Sequence, residues 1–193
     1  MYYNLQVHSA YDLLNSTIKY ESLFLKLARD NQKSVVIVDP NMYGAIKAYK
    51  ESKKSGINLI QGLEVSLGYG IGFLKFNILC KTEKMFYKLL EISTKFMNGE
   101  EWTIEDFSSE MKEYGEDFVL IAVDELRDSM EFSYLNNLFS NYDFHFGFNE
   151  SFQVSPYSFY ENVVYTKPSY YLNKENYQQV IVSRAIRDNK KLN

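Results

Sequence analysis

Histidine and cysteine are scarce in this chain, and their scarcity limits the sites that it can build. Its 193 residues include two histidines, His8 and His145, and one cysteine, Cys80. One cysteine excludes a disulfide framework and a cysteine-based zinc site. Two histidines are too few for a histidine-rich metal cluster. Cys80 lies inside an apolar run, which predicts a small buried hydrophobe.

The chain also lacks an excess of positive charge. It has 21 Lys and Arg against 25 Asp and Glu, which gives a net charge of −4. An acidic chain is a poor free-standing binder of nucleic acid, because such binding depends on Lys and Arg releasing counterions from phosphates. One basic cluster on a predicted helix is interrupted by Glu51 and is typical of a solvated face: Lys47, Lys50, Lys53 and Lys54.

The sequence shows neither a signal peptide nor a membrane-spanning segment. The start of the chain, Met1 to Asn4, has neither the basic segment nor the apolar core of a signal peptide. No apolar run is long enough for a membrane span. We therefore expect a cytoplasmic protein without a membrane partner.

The composition that is present is typical of a globular domain. Apolar residues make up 46% of the chain and charged residues 24%. Aromatic residues reach 17%, nearly all Tyr and Phe, and they are spread along the whole chain. This spread favours a Tyr- and Phe-rich core and surface over a single aromatic interface. The length predicts a single domain over residues 1–193.

Apolar β-branched runs alternate with helical patterns. The predicted strands are 3–7, 35–38, 57–67, 73–80, 118–123, 144–148 and 163–166. The predicted helices are 18–30, 45–55, 83–96, 104–111, 130–139 and 174–188. Thr17 is the predicted N-cap of the first helix and Gly56 the C-cap of the second. Continuous apolar strands separated by helices favour an α/β barrel or a doubly wound sheet.

Three polar motifs lie near the ends of predicted strands. They are QVHS at 6–9, VDPN at 38–41 and GLE at 62–64. An α/β barrel gathers its catalytic groups at the carboxyl ends of its strands. The motifs therefore predict a candidate site that contains His8, Asp39 and Glu64.

These motifs belong to a longer set of segments that carries a family resemblance. The segment QVHSAYDLLN at 6–15 is similar to H-V-H-S-x-Y-S-L-L-D, and DPNMYGA at 39–45 is similar to D-H-x-N-x-x-G-A. KKSGINLIQGLEV at 53–65, LCKTE at 79–83, TKPSYYL at 166–172 and AIRDNKKL at 185–192 extend the match. Together they resemble the PHP domain family (polymerase and histidinol phosphatase). Within that family, the segments are most similar to the version at the N-terminus of the bacterial DNA polymerase III alpha subunit, in its low-GC Gram-positive form.

The resemblance implies a fold and a larger protein. The fold would be an irregular, distorted α/β barrel of about seven parallel strands. The chain would be a fragment of a much longer DNA-directed DNA polymerase, whose magnesium is held elsewhere. Its partners would be the rest of the alpha subunit, a proofreading exonuclease subunit and other replisome proteins. DNA would be met through the parent protein, and only weakly by this acidic domain.

The resemblance also allows the family's metal ligands to be placed in this sequence. Three positions keep a ligating residue: His8, Asp39 and Glu64. The other positions are substituted. Gln6 and Asn15 replace the first histidine and the aspartate of the opening motif, and Pro40 replaces the histidine after Asp39. Lys75 replaces the histidine that often precedes the family's L-L-A-K segment, and Pro168 and Tyr170 replace a late aspartate and histidine.

These substitutions predict a degenerate site without metal, cofactor or catalytic residues. Amides ligate weakly, proline offers only a carbonyl, and Lys75 adds a positive charge where cations should bind. The prediction is therefore a structural or interaction domain, with the three retained residues bonded to neighbours such as Lys75 or Tyr170.

Two alternatives remain open. One is a residual metal-dependent phosphoesterase or 3′–5′ exonuclease that rests on His8, Asp39 and Glu64. The other is an independent small binding module unrelated to replication. His145 matches no family ligand, and its alternation with Phe144 and Phe146 predicts a side chain that points away from both.

Overall fold

The computed structural model describes residues 4–124, 129–149 and 162–191. These residues form two compact units, Met1–Gln61 with Pro168–Asn193 and Gly62–Lys167. The predicted start of the first strand at Tyr3 and the end of the family match at Leu192 lie outside the described residues.

Six helices and six strands follow one another along the described chain. The strands are β1 (Ser34–Asp39), β2 (Asn58–Tyr69), β3 (Gly72–Cys80), β4 (Phe118–Ala122), β5 (Asp143–Phe148) and β6 (Val163–Tyr165). The α-helices are α1 (Tyr20–Arg29), α2 (Ala45–Ser55), α3 (Glu83–Met97), α4 (Ile104–Glu110), α5 (Ser129–Leu138) and α6 (Tyr177–Arg187). Short 3₁₀ helices span Lys112–Tyr114 and Lys174–Asn176. All the predicted helices, and the predicted strands after the first, are confirmed to within a few residues at each end.

The first unit is built around β1. Its β-branched residues are buried and pack with residues of α1, α2 and the N-terminal segment. The core cluster comprises Val7, Ile18, Tyr20, Leu23, Phe24, Val35, Ile37, Ala48 and Ile57. Small residues on the inner face of α2, such as Ala48, let the helix approach this core closely. The cluster fixes the carboxyl end of β1, where Asp39 lies.

The predicted first strand at 3–7 is wrong for the described residues. Val7 makes only isolated parallel bridges, to Ile37 and to Ser169. The Gln6 N–H donates to the Asn4 side chain at 2.8 Å, so this donor is used locally and not in a strand ladder. Val7 is nevertheless placed against β1, and it positions the residues that follow.

Helix ends are partly as predicted. Gly56 caps α2 in the left-handed region with φ 71°, which confirms the predicted C-cap. The predicted N-cap at Thr17 is wrong, because α1 begins later, after Lys19. The Thr17 N–H instead donates to the Tyr170 carbonyl at 2.9 Å. Residues 9–19 thus form a loop that carries several polar side chains of the candidate site.

The second unit contains a mixed sheet in the order β2-β3-β4-β5-β6. β2 and β3 are antiparallel, joined at Gly70 and Ile71, and β3 and β4 are also antiparallel. β4, β5 and β6 are parallel. The predicted α/β class is confirmed. The described residues contain six strands, close to the predicted number of about seven, and the predicted all-parallel direction is wrong because β2, β3 and β4 pair antiparallel. A two-residue connection between β2 and β3 permits only a hairpin, since parallel neighbours need a crossover.

The core of the second unit is aromatic, which confirms that interpretation of the composition. Among the described residues it contains seven phenylalanines, each at most 6% exposed: Phe76, Phe107, Phe118, Phe132, Phe139, Phe144 and Phe146. Capping residues fix the helices over this core. Thr82 caps α3, and Thr103 with Asp106 forms a capping box at α4. Every helix within the described residues falls short of what a bilayer crossing would need in length and apolarity.

Candidate metal centre

Asp39 is the last residue of β1 and is held by three donors. Its Oδ1 accepts the Ser9 N–H at 2.5 Å. Its Oδ2 accepts the Ser9 hydroxyl at 2.5 Å and the Tyr20 hydroxyl at 3.1 Å. Asp39, Ser9 and Tyr20 are each at most 2% exposed. The protein itself therefore satisfies both oxygens of this buried carboxylate.

Burial controls the ionisation of this network. Removal from water raises the pKa of Asp39, and the hydrogen bonds from Ser9 together with the nearby His8 offset this only in part. Burial and the neighbouring Asp39 carboxylate also raise the pKa of Tyr20 far above its ordinary value. The Tyr20 hydroxyl therefore keeps its proton and remains a donor to Asp39.

The raised pKa of Asp39 predicts how an Asp39→Asn variant responds to pH. Because the folded state binds this proton more tightly than the unfolded state, Asp39 adds stability below its ordinary pKa of 3.8. That contribution is lost as the pH rises through the raised pKa. The variant does not titrate here, so its unfolding free energy relative to the wild type should fall as the pH is lowered from 7 towards 4. Urea unfolding across this range measures the difference, and parallel pH curves would contradict the prediction.

His8 is fully buried in the same unit. Its Nδ1 lies 3.1 Å from Asp12 Oδ2. Its ring stacks on the Tyr170 ring, with centroids 4.6 Å apart and an angle of 24° between planes. Its backbone is also held, since the N–H donates to Ser169 O at 3.0 Å and the carbonyl accepts the Ser16 hydroxyl at 2.6 Å. Both the ring and the backbone of His8 are thus fixed by protein groups.

The contacts of His8 continue into a closed circuit of five side chains. Asp12 Oδ2 accepts the Asn15 amide at 2.6 Å. Asn15 Oδ1 accepts the Arg184 Nε–H at 2.8 Å. The Arg184 guanidinium carbon lies 4.3 Å from the centroid of the Tyr170 ring, which stacks on His8. We call this circuit the His8 ring: His8, Asp12, Asn15, Arg184 and Tyr170.

Gly44 lets the Tyr20 hydroxyl reach this network. A Cβ at Gly44 would lie 2.3 Å from the Tyr20 hydroxyl oxygen and 2.6 Å from Tyr11 Cδ2. We expect Gly44→Ala to displace Tyr20 and to lower the free energy of unfolding by about 1–3 kcal/mol, the usual cost of overpacking. Chemical denaturation measures this loss. Gly115→Ala is the matched control, because its Cβ would meet no atom closer than 3.5 Å, and equal losses in both variants would contradict the explanation.

Three further substituted positions lie in the first unit. Gln6 is 5% exposed, and its carbonyl accepts the Ser169 N–H at 2.9 Å. Pro40 directly follows Asp39 and is half-buried, as is Pro168. A proline nitrogen has no proton, and its side chain offers no ligating atom, so neither proline can bind a metal through its side chain.

Glu64 belongs to the second unit and is paired there with Lys75. Lys75 Nζ lies 3.1 Å from Glu64 Oε1, which confirms the predicted contact between these two positions. The Lys75 N–H donates to Asp124 Oδ2 at 2.8 Å, and burial raises the pKa of Asp124. The placement of Glu64 at a strand end is wrong, because β2 continues to Tyr69. The strand is longer than predicted because it pairs with β3 along residues 62–69.

His145 lies on β5 in the second unit. Its Nε2 is 2.8 Å from Asp143 Oδ1, and Asp143 also binds Lys81 at 2.6 Å. Phe144 and Phe146 on either side are buried, whereas the His145 side chain is 30% exposed. The predicted outward orientation relative to the two phenylalanines is confirmed.

Protein groups contact the candidate metal ligands that remain in the first unit. Ser9 and Tyr20 occupy the oxygens of Asp39, and Asp12 lies against Nδ1 of His8. Arg184 brings a positive charge into the His8 ring. Among the residues that the structure describes, no group of three or more His, Cys, Asp or Glu could hold a metal ion. The chemistry of these groups is that of an internal hydrogen-bond network.

Sequence reasoning missed four residues of this network: Ser9, Asp12, Tyr20 and Arg184. Ser9 and Asp12 lie in the opening motif, so their proximity to His8 was a usable signal. Tyr20 had none, since an aromatic residue at a helix start is most often core. Arg184 lies 169 positions after Asn15, and a single chain gives no sign of that contact.

Comparison with known proteins agrees with this fold. A model of the PHP domain family matches residues 4–127, more than half of the chain. The chain therefore belongs to the PHP domain family. Several relatives are named DNA polymerase III subunit alpha, and each aligns with a different share of this chain.

The relative from Staphylococcus epidermidis is 26% identical over 202 aligned positions, which cover 98% of this chain and 17% of that protein. The relative from Mycoplasma genitalium is 33% identical over 93 residues, covering 48% of this chain and 11% of that protein. The relative from Bacillus subtilis is 39% identical over 95 residues, covering 47% and 8%. The chain thus spans less than a fifth of the length of each of these relatives. It is homologous to part of the alpha subunit, which does not support a binding module unrelated to replication.

Solved structures share the fold at low sequence identity. An amidohydrolase from Chromobacterium violaceum aligns with a TM-score of 0.60 at 10% identity, covering 93% of this chain and 96% of that one. A two-domain protein from Bacteroides vulgatus, which contains a predicted PHP-like metal-dependent phosphoesterase, aligns with a TM-score of 0.59 at 13% identity. That match covers 87% of this chain and 51% of the other. At this identity the likeness supports the PHP-type fold and nothing further.

Proposed function

We propose that this chain is a structural PHP domain of a bacterial DNA polymerase III alpha subunit, and that its former metal site now stabilises the domain. The observation that carries the proposal is the His8 ring. Asn15 and Tyr170 stand at positions that the family resemblance assigns to ligands, and both contact Arg184. A guanidinium therefore bridges these two positions, and no ligand needs to be supplied from outside.

The Asp39 network supports the same proposal. A carboxylate that binds metal needs free lone pairs directed at the ion. Three protein donors instead converge on Asp39. Burial raises the pKa of Asp39, and the Ser9 and Tyr20 donors supply the hydrogen bonds that this buried carboxyl group needs. Catalytic and cofactor-binding residues are accordingly not assigned in this domain.

The role of the parent protein follows from the homology. We propose that it extends a DNA primer with deoxynucleoside triphosphates in the cytoplasm, and that the magnesium for this reaction is held outside this chain. The domain would support the rest of the alpha subunit and dock a proofreading exonuclease subunit or another replisome protein. The length of the relatives leaves ample chain for the polymerase chemistry.

The test uses the full alpha subunit with and without residues 1–193. Deletion should lower the melting temperature of the enzyme or weaken its affinity for the exonuclease subunit. A point variant, Arg184→Ala, should weaken the same property to a smaller extent without changing bound metal. Unchanged melting and unchanged partner affinity after the deletion would contradict the proposal.

A residual metal-dependent phosphoesterase or 3′–5′ exonuclease is the second candidate. The observation in its favour is that His8 and Asp39 are both retained and lie close enough for His8 to lower the pKa of Asp39. Metal analysis of the purified protein and hydrolysis assays with added Mn²⁺ separate the two functions. Stoichiometric metal, with activity abolished by Glu64→Ala, would favour the enzyme, whereas metal-free and inactive protein would favour the structural domain.

A further inference from the structure

The outward face of α2 carries exposed aromatic and basic side chains that the candidate site does not use. Tyr43 lies two residues before the first residue of the helix and is 67% exposed. Within the helix, Ile46 is 63% exposed and Tyr49 is 56% exposed. Lys50 and Lys53 are exposed beside them. The spacing of three and four residues from 43 to 46, 50 and 53 places these side chains on one helical face. We call these five residues the α2 face.

The inner side of the same helix explains why this face points outward. Ala45, Ala48 and Ser52 are buried, and Ala48 belongs to the core cluster of the first unit. A helix that is anchored by small residues on one side must present its long side chains on the other. The exposure of the three apolar side chains is therefore fixed by the packing of α2.

Positive charge is concentrated here in a chain that is acidic as a whole. The 11 residues of α2 include four lysines and one glutamate, against a net charge of −4 for the full sequence. Lys47 is neutralised by Glu21 of α1 at 2.7 Å, and Lys54 lies 3.8 Å from Glu51. Within the described residues, Lys50 and Lys53 have no carboxylate partner of this kind. Lys53 Nζ instead lies 5.2 Å from the centroid of the Tyr49 ring.

We propose that the α2 face binds single-stranded nucleic acid. Lys50 and Lys53 would contact phosphates, and Tyr43 and Tyr49 would stack on unpaired bases. Sites for single strands combine positive charge along the backbone with aromatic rings beneath the bases. An acidic protein partner fits less well, because lysine is depleted in the centres of protein interfaces. A purely solvated face explains the lysines and leaves three exposed apolar side chains without a role.

The proposal goes beyond the structural function and does not depend on the His8 ring. Its test is fluorescence anisotropy of a labelled single-stranded oligonucleotide titrated with the complete 193-residue chain at several salt concentrations. Lys50→Glu/Lys53→Glu should weaken binding at least tenfold at low salt. The slope of log affinity against log salt should become shallower by about 1.4, since two contacts to a single strand are lost at about 0.7 each. Tyr49→Ala should weaken binding at least fivefold with little change in slope.

The matched control reverses two exposed lysines elsewhere, Lys112→Glu/Lys191→Glu, and changes the net charge by the same amount. It should bind like the wild type. Equal weakening in the control and in Lys50→Glu/Lys53→Glu would overturn the proposal, because general charge would then explain binding. Displacement of the oligonucleotide by an acidic peptide at lower concentration than by unlabelled single strand would also overturn it in favour of a protein partner. Far-UV circular dichroism checks that each variant is folded.

Discussion

Asp39→Ala is expected to lower the free energy of unfolding by about 3–5 kcal/mol. The substitution removes the acceptor of three hydrogen bonds. It leaves the Ser9 N–H and the Tyr20 hydroxyl buried without an acceptor, while the Ser9 hydroxyl can still donate to the Tyr20 oxygen at 3.0 Å. Each buried donor without a partner costs about 1–3 kcal/mol. The cavity left by the carboxylate adds to this loss.

Urea unfolding of the purified chain measures this effect, with the midpoint and the m-value compared to the wild type. Asp30→Ala is the matched control, because Asp30 is exposed and its ion pair with Lys26 at 3.3 Å is worth little. It should change stability by no more than about 0.5 kcal/mol. If Asp39→Ala were as stable as Asp30→Ala, the carboxylate would have no structural role.

Unfolding in the presence of added metal distinguishes a structural Asp39 carboxylate from one that binds metal. In the structural proposal, Mn²⁺ or Zn²⁺ should leave the unfolding midpoint of the wild type unchanged, since a ligand stabilises a protein only by binding its folded state. A midpoint that rises with metal in the wild type and not in Asp39→Ala would instead favour the residual enzyme.

Much of the fold could be predicted, because local patterns decide most elements. The four β-branched residues at 35–38 form the centre of β1. α2 ends at Gly56, because glycine adopts the left-handed backbone conformation of a helix C-cap without steric cost. These features depend on neighbours within a few positions. The direction of β2 and β3 was not predicted, although the short turn through Gly70 and Ile71 contained the information.

The first strand failed for a different reason. Its apolar residues suit a strand, but the Asn4 side chain takes the Gln6 N–H and Val7 keeps only single bridges. Competition between a side-chain acceptor and a strand ladder depends on tertiary placement that periodicity does not contain. The same limit applies to Thr17, whose N–H is taken by Tyr170 from the far end of the chain.

The sequence predicted which positions belong to the candidate site, but it did not predict the hydrogen bonds and ring contacts that join them. The motifs located His8, Asp39 and Glu64, and the pairing of Glu64 with Lys75 is confirmed. The resemblance also identified Asn15 and Tyr170 as altered ligand positions. What replaced the ligands could not be read from these positions, because Arg184 comes from α6 and meets Asn15 only in the folded chain.

Arg184→Ala is expected to lower the free energy of unfolding by about 2 kcal/mol. It removes the hydrogen bond to Asn15 at 2.8 Å and the cation–π contact with Tyr170 at 4.3 Å. A hydrogen bond from a charged group contributes about 1.5–3 kcal/mol and a cation–π contact about 0.5–1 kcal/mol, and both are reduced because Arg184 is only half-buried. Arg184→Lys should recover less than half of the loss, since an ammonium cannot stack and donate in the same plane.

The matched control is Arg187→Ala on the same helix, because the Arg187 Nε–H donates to Asp188 beside it at 2.8 Å. A double-mutant cycle then decides whether Arg184 acts through the His8 ring. If it does, Arg184→Ala and Asn15→Ala should couple by about 0.5–3 kcal/mol, and Arg187→Ala with Asn15→Ala should be additive. Additivity in both cycles would mean that Arg184 stabilises α6 by itself. The two altered ligand positions would then not be joined energetically, and the structural proposal would lose the observation that carries it.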